Sequence, residues 1–362
     1  LFLDDTMTYS SAIFPGYTGG RGPEAVPGLE DVGGDDACST DAGSELLKEA
    51  TFAKLDEIIA KAQLTEADHV VEIGCGWGSF AIRAAQKTGC RVTGITISTE
   101  QLDIAKSRVE EAGLSDLVNL VLCDYRKLKG DAELMHKGGF DKLVSIEMLE
   151  AVGHENLQEY FDVCSQLVRP GGLCVIQVIT IPDERCVRPF LVSSLSLSLS
   201  LSLSSSSSSS SHSRTSLPSS FSSYEMYCNS SDFIKRHIFP GGHLPAKSSV
   251  EAFISGLPLS LVHVHDIGPH YAPTLRMWRL RFKANREKIL ALGYSDVFYR
   301  KWVFYFAYCE AAFANRCVVC CVCWCALFSF VEHIYRHRLT AAFLYLFPSF
   351  LPQLPLQLPL HV

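Results

Sequence analysis

Residues 69–80 read His-Val-Val-Glu-Ile-Gly-Cys-Gly-Trp-Gly-Ser-Phe. A short apolar run carrying Glu72 breaks into Gly74, Gly76 and Gly78 on alternate positions, and a helix-like stretch follows. Strand, glycine turn and helix in that order make a nucleotide cradle: glycines let the backbone approach a ligand, and the helix N-terminus presents N–H groups. The spacing selects the nucleotide. A dinucleotide fingerprint is G-x-G-x-x-G, with a pyrophosphate over the helix N-terminus. Here the third glycine arrives one residue early, and Glu72 stands two residues before the first. A carboxylate aimed into the turn repels a pyrophosphate and suits a ligand with cationic and hydroxyl groups. S-adenosylmethionine (SAM) is such a ligand; a glycine turn holding nothing is the weaker reading.

The elements that must position this turn alternate along the chain. Ser44 to Ala62 reads as a helix, with Ser44 as its cap and Leu47, Leu55, Ile58 and Ile59 as an apolar stripe. Strands are expected at Val70–Ile73, Arg91–Ile95, Val118–Leu122, Lys142–Ile146 and Leu173–Ile179, with helices at Gly78–Lys87, Glu100–Ala112 and Glu155–Val168. The last of these helices meets a terminator, Arg169-Pro170-Gly171-Gly172. The rhythm implies a parallel, doubly wound α/β sheet with its ligand at the carboxyl ends of the strands.

The chain has 362 residues and a net charge of −7, which gives no global reason to expect nucleic acid. It begins Leu1-Phe2-Leu3-Asp4-Asp5, with neither Met nor a basic n-region, and reads as a segment without a secretory leader. Of the 14 cysteines, Cys75, Cys90, Cys123, Cys164 and Cys174 fall in expected core elements and read as reduced thiols of a reducing, cytoplasmic compartment. Two stretches break the pattern. Residues 191–223 alternate Leu and Ser and then run through consecutive serines, Ser204 to Ser211, which cannot bury apolar area. From Cys317 the chain turns Cys-rich and ends in Pro/Leu repeats. Its apolar run to Val331 is short of the about 20 residues that cross a bilayer. Its C-x-x-C pair with His333 and His337 offers zinc ligands, but they are crowded where a zinc site separates its pairs by a loop, so a buried or poorly folded tail without metal is the expectation and a zinc site the alternative.

Beyond the glycine turn, several separated motifs carry a family resemblance. They are Met7-Thr8-Tyr9-Ser10-Ser11-Ala12-Ile13-Phe14, Gly94-Ile95-Thr96-Ile97-Ser98-Thr99-Glu100-Gln101, Cys123-Asp124-Tyr125-Arg126, and Glu147-Met148-Leu149-Glu150-Ala151-Val152-Gly153-His154. Later come Ile238-Phe239-Pro240-Gly241-Gly242 and His270-Tyr271 with Thr274-Leu275-Arg276-Met277-Trp278. Over about residues 3–185 and 224–316 the chain resembles the cyclopropane-fatty-acyl-phospholipid synthases of plant and algal type. These belong to the wider mycolic acid cyclopropane synthase family of SAM-dependent methyltransferases. The resemblance implies a class I, Rossmann-like methyltransferase fold. It divides the chain into an N-terminal active-site segment (1–43), a SAM-binding core (44–185), a serine-rich insert (186–223), a lipid-substrate cap with the remaining core (224–316), and an atypical tail (317–362). The insert has no family counterpart. The family's closing strand is missing from the sequence after Arg316, where the Cys-rich tail replaces it, and its loss is expected to uncover strand edges.

The implied reaction adds a methylene across a cis double bond of an unsaturated phospholipid acyl chain at a membrane surface. The family's base is a bound bicarbonate. Carried over, Glu150 and Tyr271 hold it, with backbone groups of Ser11 and Ile179. Many members have Cys at Ser11 and His at Gln177; Gln177 keeps its hydrogen bonds but cannot titrate, so both changes are expected to tune the site. For SAM, Glu72 and the amides of Gly74, Gly76, Trp77 and Gly78 would frame the methionine and ribose end. Tyr9 and Ser10 resemble carboxylate-fixing residues, Thr96 and Gln101 ribose contacts, and Asp124 with Tyr125 and Arg126 the adenine edge. Arg276, Arg279, Arg281, Lys283, Arg286 and Lys288 on an expected helix 274–290 could meet anionic headgroups, although they spread around the helix. His154 reads as a neighbour of a helix start, and His237, His243, His263 and His265 show no ligand spacing. A homodimer is left open. Rival readings are acyl methylation without ring closure, an amine methyltransferase of the coclaurine type, and a mis-spliced chain that does not fold productively.

Overall fold

The computed structural model describes residues 1–20, 26–29, 38–130, 138–182 and 223–327. The serine-rich stretch up to residue 222 lies outside the described residues, as do His333, His337 and the Pro/Leu repeats.

Helix α1 (Asp41–Ala62) starts a turn earlier than Ser44. Thr40 is its cap, its hydroxyl accepting from the Gly43 amide at 3.3 Å. The expected stripe of Leu47, Leu55, Ile58 and Ile59 is buried. Alternation then follows as β1 (His69–Ile73), α2 (Ser79–Thr88), β2 (Arg91–Thr96), α3 (Thr99–Glu111), β3 (Val118–Leu122), a single-turn α4 (Tyr125–Leu128) and β4 (Phe140–Ile146). All five β1 residues are buried, as expected of a strand covered on both faces. Helix α5 (Leu157–Leu167) runs straight into β5 (Val168–Thr180). The helix thus ends ahead of Arg169-Pro170-Gly171-Gly172 as expected, and these four residues fall in an irregularity where the β4 register passes from Val168 to Leu173. The remaining elements are α6 (Ser223–Cys228), α7 (Phe233–His237), α8 (Lys247–Ser255), β6 (Leu259–Asp266), α9 (Gly268–Ala284), α10 (Arg286–Ala291), α11 (Asp296–Ala314) and β7 (Val319–Leu327).

The sheet order is β3-β2-β1-β4-β5-β7-β6. Strands β1 to β5 pair in parallel, whereas β7 is antiparallel to both β5 and β6. One hydrophobic cluster packs α1, α2, α9 and α11 on one face; a second packs α5 and α8 on the other. The sheet is thus doubly wound, as expected.

The Cys-rich segment corrects one expectation. Among the described residues the edge of β5 is covered, because the segment that replaces the family's last strand is itself a strand. Val322 lies opposite Gln177 of β5 and opposite His265 of β6. Cys320, Cys321, Cys323 and Cys325 are buried free thiols within it. Small apolar residues, here Val319-Cys320-Cys321-Val322-Cys323, suit a strand flanked on both sides, and the missing strand no longer speaks for an unfoldable chain. Elsewhere Cys75, Cys90, Cys164 and Cys174 are buried free thiols as expected, while Cys123 is half-buried.

The expected helix 274–290 divides at Asn285, whose side-chain amide donates to the carbonyls of Leu1 and Arg281. Its cations are largely engaged within the molecule. Arg279 pairs with Glu310 of α11 at 2.8 Å, Arg286 pairs with Asp296 at 2.9 Å, and Arg281 donates to the carbonyls of Phe2 and Leu3. That leaves little of the expected headgroup-facing cluster. Among the described residues no helix is long and apolar enough to cross a membrane.

Candidate active site

A cavity of about 700 Å³ opens at the carboxyl ends of β1, β2 and β4. The glycine turn forms its floor. Gly74, Gly76 and Gly78 take φ of +83°, +52° and +82°, a region that disfavours any side chain. A Cβ on Gly74 would stand 2.8 Å from Met148 Cγ, whereas one on Gly76 would meet open space, where a ligand can approach. Gly78 is not part of the cavity wall; it caps the start of α2, and a Cβ there would stand 3.3 Å from Ala105 Cβ. The amides of Gly74 and Cys75 donate to the Ile95 carbonyl and that of Gly78 to the Cys75 carbonyl. The expected frame of four amides therefore reduces to those of Gly76 and Trp77.

Glu72 lines the cavity from β1 and is 3 % exposed. Burial pushes its carboxyl up to about 8, against the pull of the Lys54 charge and the Ala81 amide. Its Oε2 is buried without a hydrogen-bond partner. A buried bare carboxylate oxygen at a cavity wall is a seat for an ammonium or hydroxyl donor, and the amino-acid and ribose ends of SAM carry both. The residues present therefore fit that cofactor.

Thr96 and Gln101 meet at the cavity wall, the Thr96 hydroxyl donating to Gln101 Oε1 at 3.0 Å. Asp124 caps α4 and is gripped by Arg126, with Nη2 2.5 Å from Oδ2. Both line the cavity with Tyr125, but the Asp124 carboxylate is already paired. From the N-terminal segment, Tyr9 stacks on Trp278 at 5.2 Å and hydrogen-bonds Tyr305 at 3.1 Å. Ser10 Oγ accepts from Lys54 Nζ at 2.8 Å. The segment is tied to α9 because the Ala12 amide donates to Thr274 Oγ1 and the Phe14 amide to His270 Nδ1. This is how motifs far apart in sequence come to share one site.

The catalytic candidates form a buried cluster around a residue not singled out in the sequence. Glu147 follows β4 at φ +49°. Its Oε1 accepts from the Ser11 amide at 3.0 Å and from Gln177 Nε2 at 2.6 Å; its Oε2 accepts from the Tyr271 hydroxyl at 2.6 Å. Glu150, on a 3-10 turn (Leu149–Ala151), accepts from the Ile179 amide at 2.6 Å through Oε1, and its Oε2 is buried without a partner. Burial pushes Glu150 up to about 8, with Glu147 adding to the effect. Burial also raises Glu147, while Tyr271, Ser11, Lys54 and Gln177 oppose the rise. Of this cluster only Glu147 lines the cavity; Glu150, Tyr271, Ser11, Gln177 and Ile179 stand behind it.

These residues do not fit a bicarbonate. The Ser11 amide, the Tyr271 hydroxyl and Gln177 Nε2 already donate to Glu147, and the Ile179 amide donates to Glu150. A second anion would lack donors and would sit against two carboxyl groups.

Lys54 was also missed. It is fully buried, and burial lowers its ammonium to about 8 despite the nearby charges of Glu147, Glu72 and Asp4. Lys54 thus stands as a buried cation near Glu72 and Glu147, both of which burial pushes towards their neutral forms. Two acids three residues apart after β4, Glu147 and Glu150, were the available sequence signal. Away from the cavity, His154, Cys228 and His243 bring ligand atoms within 4.8 Å of one another, a grouping that sequence spacing gave no sign of; His243 Nε2 also hydrogen-bonds the Tyr224 hydroxyl at 2.8 Å.

Fold and cradle together define a class I SAM-dependent methyltransferase fold. The chain belongs to the mycolic acid cyclopropane synthetase family, whose sequence pattern matches residues 1–323. It is 35 % identical over 316 residues to the tuberculostearic acid methyltransferase UfaA1 of Mycobacterium tuberculosis, covering 87 % of this chain and 58 % of that protein. It is 30 % identical over 285 residues to the cyclopropane-fatty-acyl-phospholipid synthase of Escherichia coli, covering 77 % and 59 %. The chain thus spans little more than half the length of these curated relatives. Among solved structures it is similar to the mycolic acid cyclopropane synthase CmaA1 complexed with SAH and CTAB, at a TM-score of 0.65 and 24 % identity over 90 % of this chain and 92 % of that one. A geranyl diphosphate methyltransferase in complex with SAM shares the fold at a TM-score of 0.56 and 17 % identity, covering 88 % and 98 %.

Proposed function

We propose that this chain is a SAM-dependent transferase that adds a one-carbon unit to the cis double bond of an unsaturated phospholipid acyl chain and closes a cyclopropane ring. SAM, when bound, supplies an electrophilic methyl group on a sulfonium. The supporting observation is a single cavity that joins the glycine turn, Glu72 and Glu147 to Phe2, Tyr9 and Trp302. Apolar and aromatic walls accept an acyl chain, and ring faces stabilise the cation that alkene attack leaves on it. The buried carboxyl groups add the electrostatic part, aimed where positive charge develops. An amine substrate forms no such cation and needs no buried acid pair. Docking at a membrane surface is part of the proposal, since the substrate resides there.

The second reading is methylation of the acyl chain without ring closure. The similarity to a tuberculostearic acid methyltransferase favours it. Mass spectrometry of lipids from bacteria expressing the chain tests both. A gain of one CH₂ on unsaturated chains that resists hydrogenation identifies the ring; a gain with a branched or methylene-bearing chain identifies the second reading. Unchanged lipids would overturn both.

A further inference from the structure

We infer that the carboxylate of Glu147 is the base of the reaction, built into the chain where an exchangeable bicarbonate was expected, and that turnover needs no added carbonate. The inference rests on the proposed lipid reaction for its chemistry and on geometry for its placement. Three donors implied for the external anion, the Ser11 amide, Gln177 Nε2 and the Tyr271 hydroxyl, converge on Glu147 at 3.0, 2.6 and 2.6 Å. Glu147 is the member of the cluster that borders the cavity. Its backbone is held at φ +49°, which disfavours residues with a Cβ and persists where surrounding structure enforces it; such strain gathers at functional sites. Its amide donates to the Gln177 carbonyl at 2.8 Å, so backbone and side chain are fixed by the same residue.

The two acids divide the work. Glu147 accepts from the Ser11 amide, Gln177 Nε2, the Tyr271 hydroxyl and the Cys320 thiol, and these donors with the Lys54 charge oppose the rise that burial imposes on its carboxyl. Glu150 has one donor and a bare buried oxygen, which favour its neutral form. Gln177 donates to the base without competing for its proton, as a histidine would.

The step balances without an oxidant. The alkene π pair forms a bond to the SAM methyl carbon, and the carbon–sulfur bond breaks with its pair remaining on sulfur. One C–H bond of the transferred methyl then breaks. Its proton goes to Glu147, and its electron pair closes the ring on the cationic carbon. Glu147 later releases the proton to water.

The test uses the full chain, vesicles of dioleoyl phosphatidylglycerol and buffer freed of carbon dioxide, with S-adenosylhomocysteine release as the readout. Wild type should turn over at the same rate with and without millimolar bicarbonate. E147G suits the positive φ and empties the seat; it should lose about 100-fold or more, a usual share for a general base, and recover about tenfold with bicarbonate. E147Q keeps the seat filled and should lose as much with no recovery. A wild-type requirement for bicarbonate, or full activity of E147G without it, would overturn the inference. ¹³C NMR of labelled bicarbonate separates this outcome from failure of the lipid reading. Should wild type modify no lipid under either condition, the lipid reading fails. In that case line broadening by E147G alone still supports Glu147 as occupant of the seat, and broadening by wild type refutes it.

Discussion

Replacing Glu72 by Gln should weaken ligand binding and stabilise the empty protein, an opposition that a merely structural carboxylate would not produce. Glu72 sits at about 8 in the folded chain against 4.5 for an unperturbed glutamate, chiefly through burial. The folded state therefore holds this proton longer than the unfolded state does. The stability associated with it is complete below pH 4.5 and is lost as pH rises towards 8. The loss amounts to about 4 kcal/mol by pH 8 and about 3 kcal/mol at pH 7. Glutamine has the same shape and no proton to lose. The melting temperatures of apo E72Q and wild type should nearly coincide at pH 4.5 and separate by several degrees by pH 7.5, with E72Q the higher. Lys54 loses an attracting neighbour in the variant, which takes back part of the gain. Binding runs the other way. The bare Oε2 is buried at the cavity wall, and a hydrogen bond to a charged group is worth about 1.5–3 kcal/mol, so affinity for S-adenosylhomocysteine should fall about 10- to 150-fold. Calorimetry across pH 6 to 8.5 should also show wild-type affinity rising as Glu72 ionises, with E72Q flat. Equal affinities and parallel melting curves would refute the assignment of Glu72 to the ligand.

Gly74→Ala brings a Cβ within 2.8 Å of Met148 Cγ at a φ of +83°, and should destabilise the chain by about 1–3 kcal/mol in denaturant titrations while lowering S-adenosylhomocysteine affinity. Glu150→Ala should abolish turnover and leave calorimetric affinity for S-adenosylhomocysteine within a few-fold, because Glu150 stands behind the cavity wall. Tyr271→Phe removes one of four donors to Glu147 and should slow turnover more than it weakens lipid binding, read as a fall in kcat at nearly constant KM. Val322→Pro interrupts a strand flanked on both sides and should cost about 3 kcal/mol or more, or prevent folding, as followed by circular dichroism.

What the sequence could disclose was local. The glycine turn and the parallel strands are written in consecutive residues, since turn chemistry and apolar runs are properties of neighbours. Strand β7 was hidden because a strand covered on both faces has no polar alternation, and cysteine is a weak signal of strand; its place is set by β5 and β6, which pair with it from either side. The cap of α1 was ambiguous for a different reason, since Thr40 and Ser44 offer the same hydroxyl and it is Thr40 that accepts from the Gly43 amide. Glu147 was hidden by distance. Its donors lie 136, 30, 124 and 173 residues away, and nothing in their spacing announces that they converge. The departure visible at Gln177 takes its meaning only from that convergence. A neutral amide beside a free anion would be a weakened site, whereas beside a resident carboxylate it supplies a donor that leaves the proton balance to the two glutamates. The replacement at one position is thus intelligible only with the carboxylate at the other, and E147G combined with Gln177→His should bind bicarbonate more tightly than E147G alone, an increase measurable in the same NMR titration.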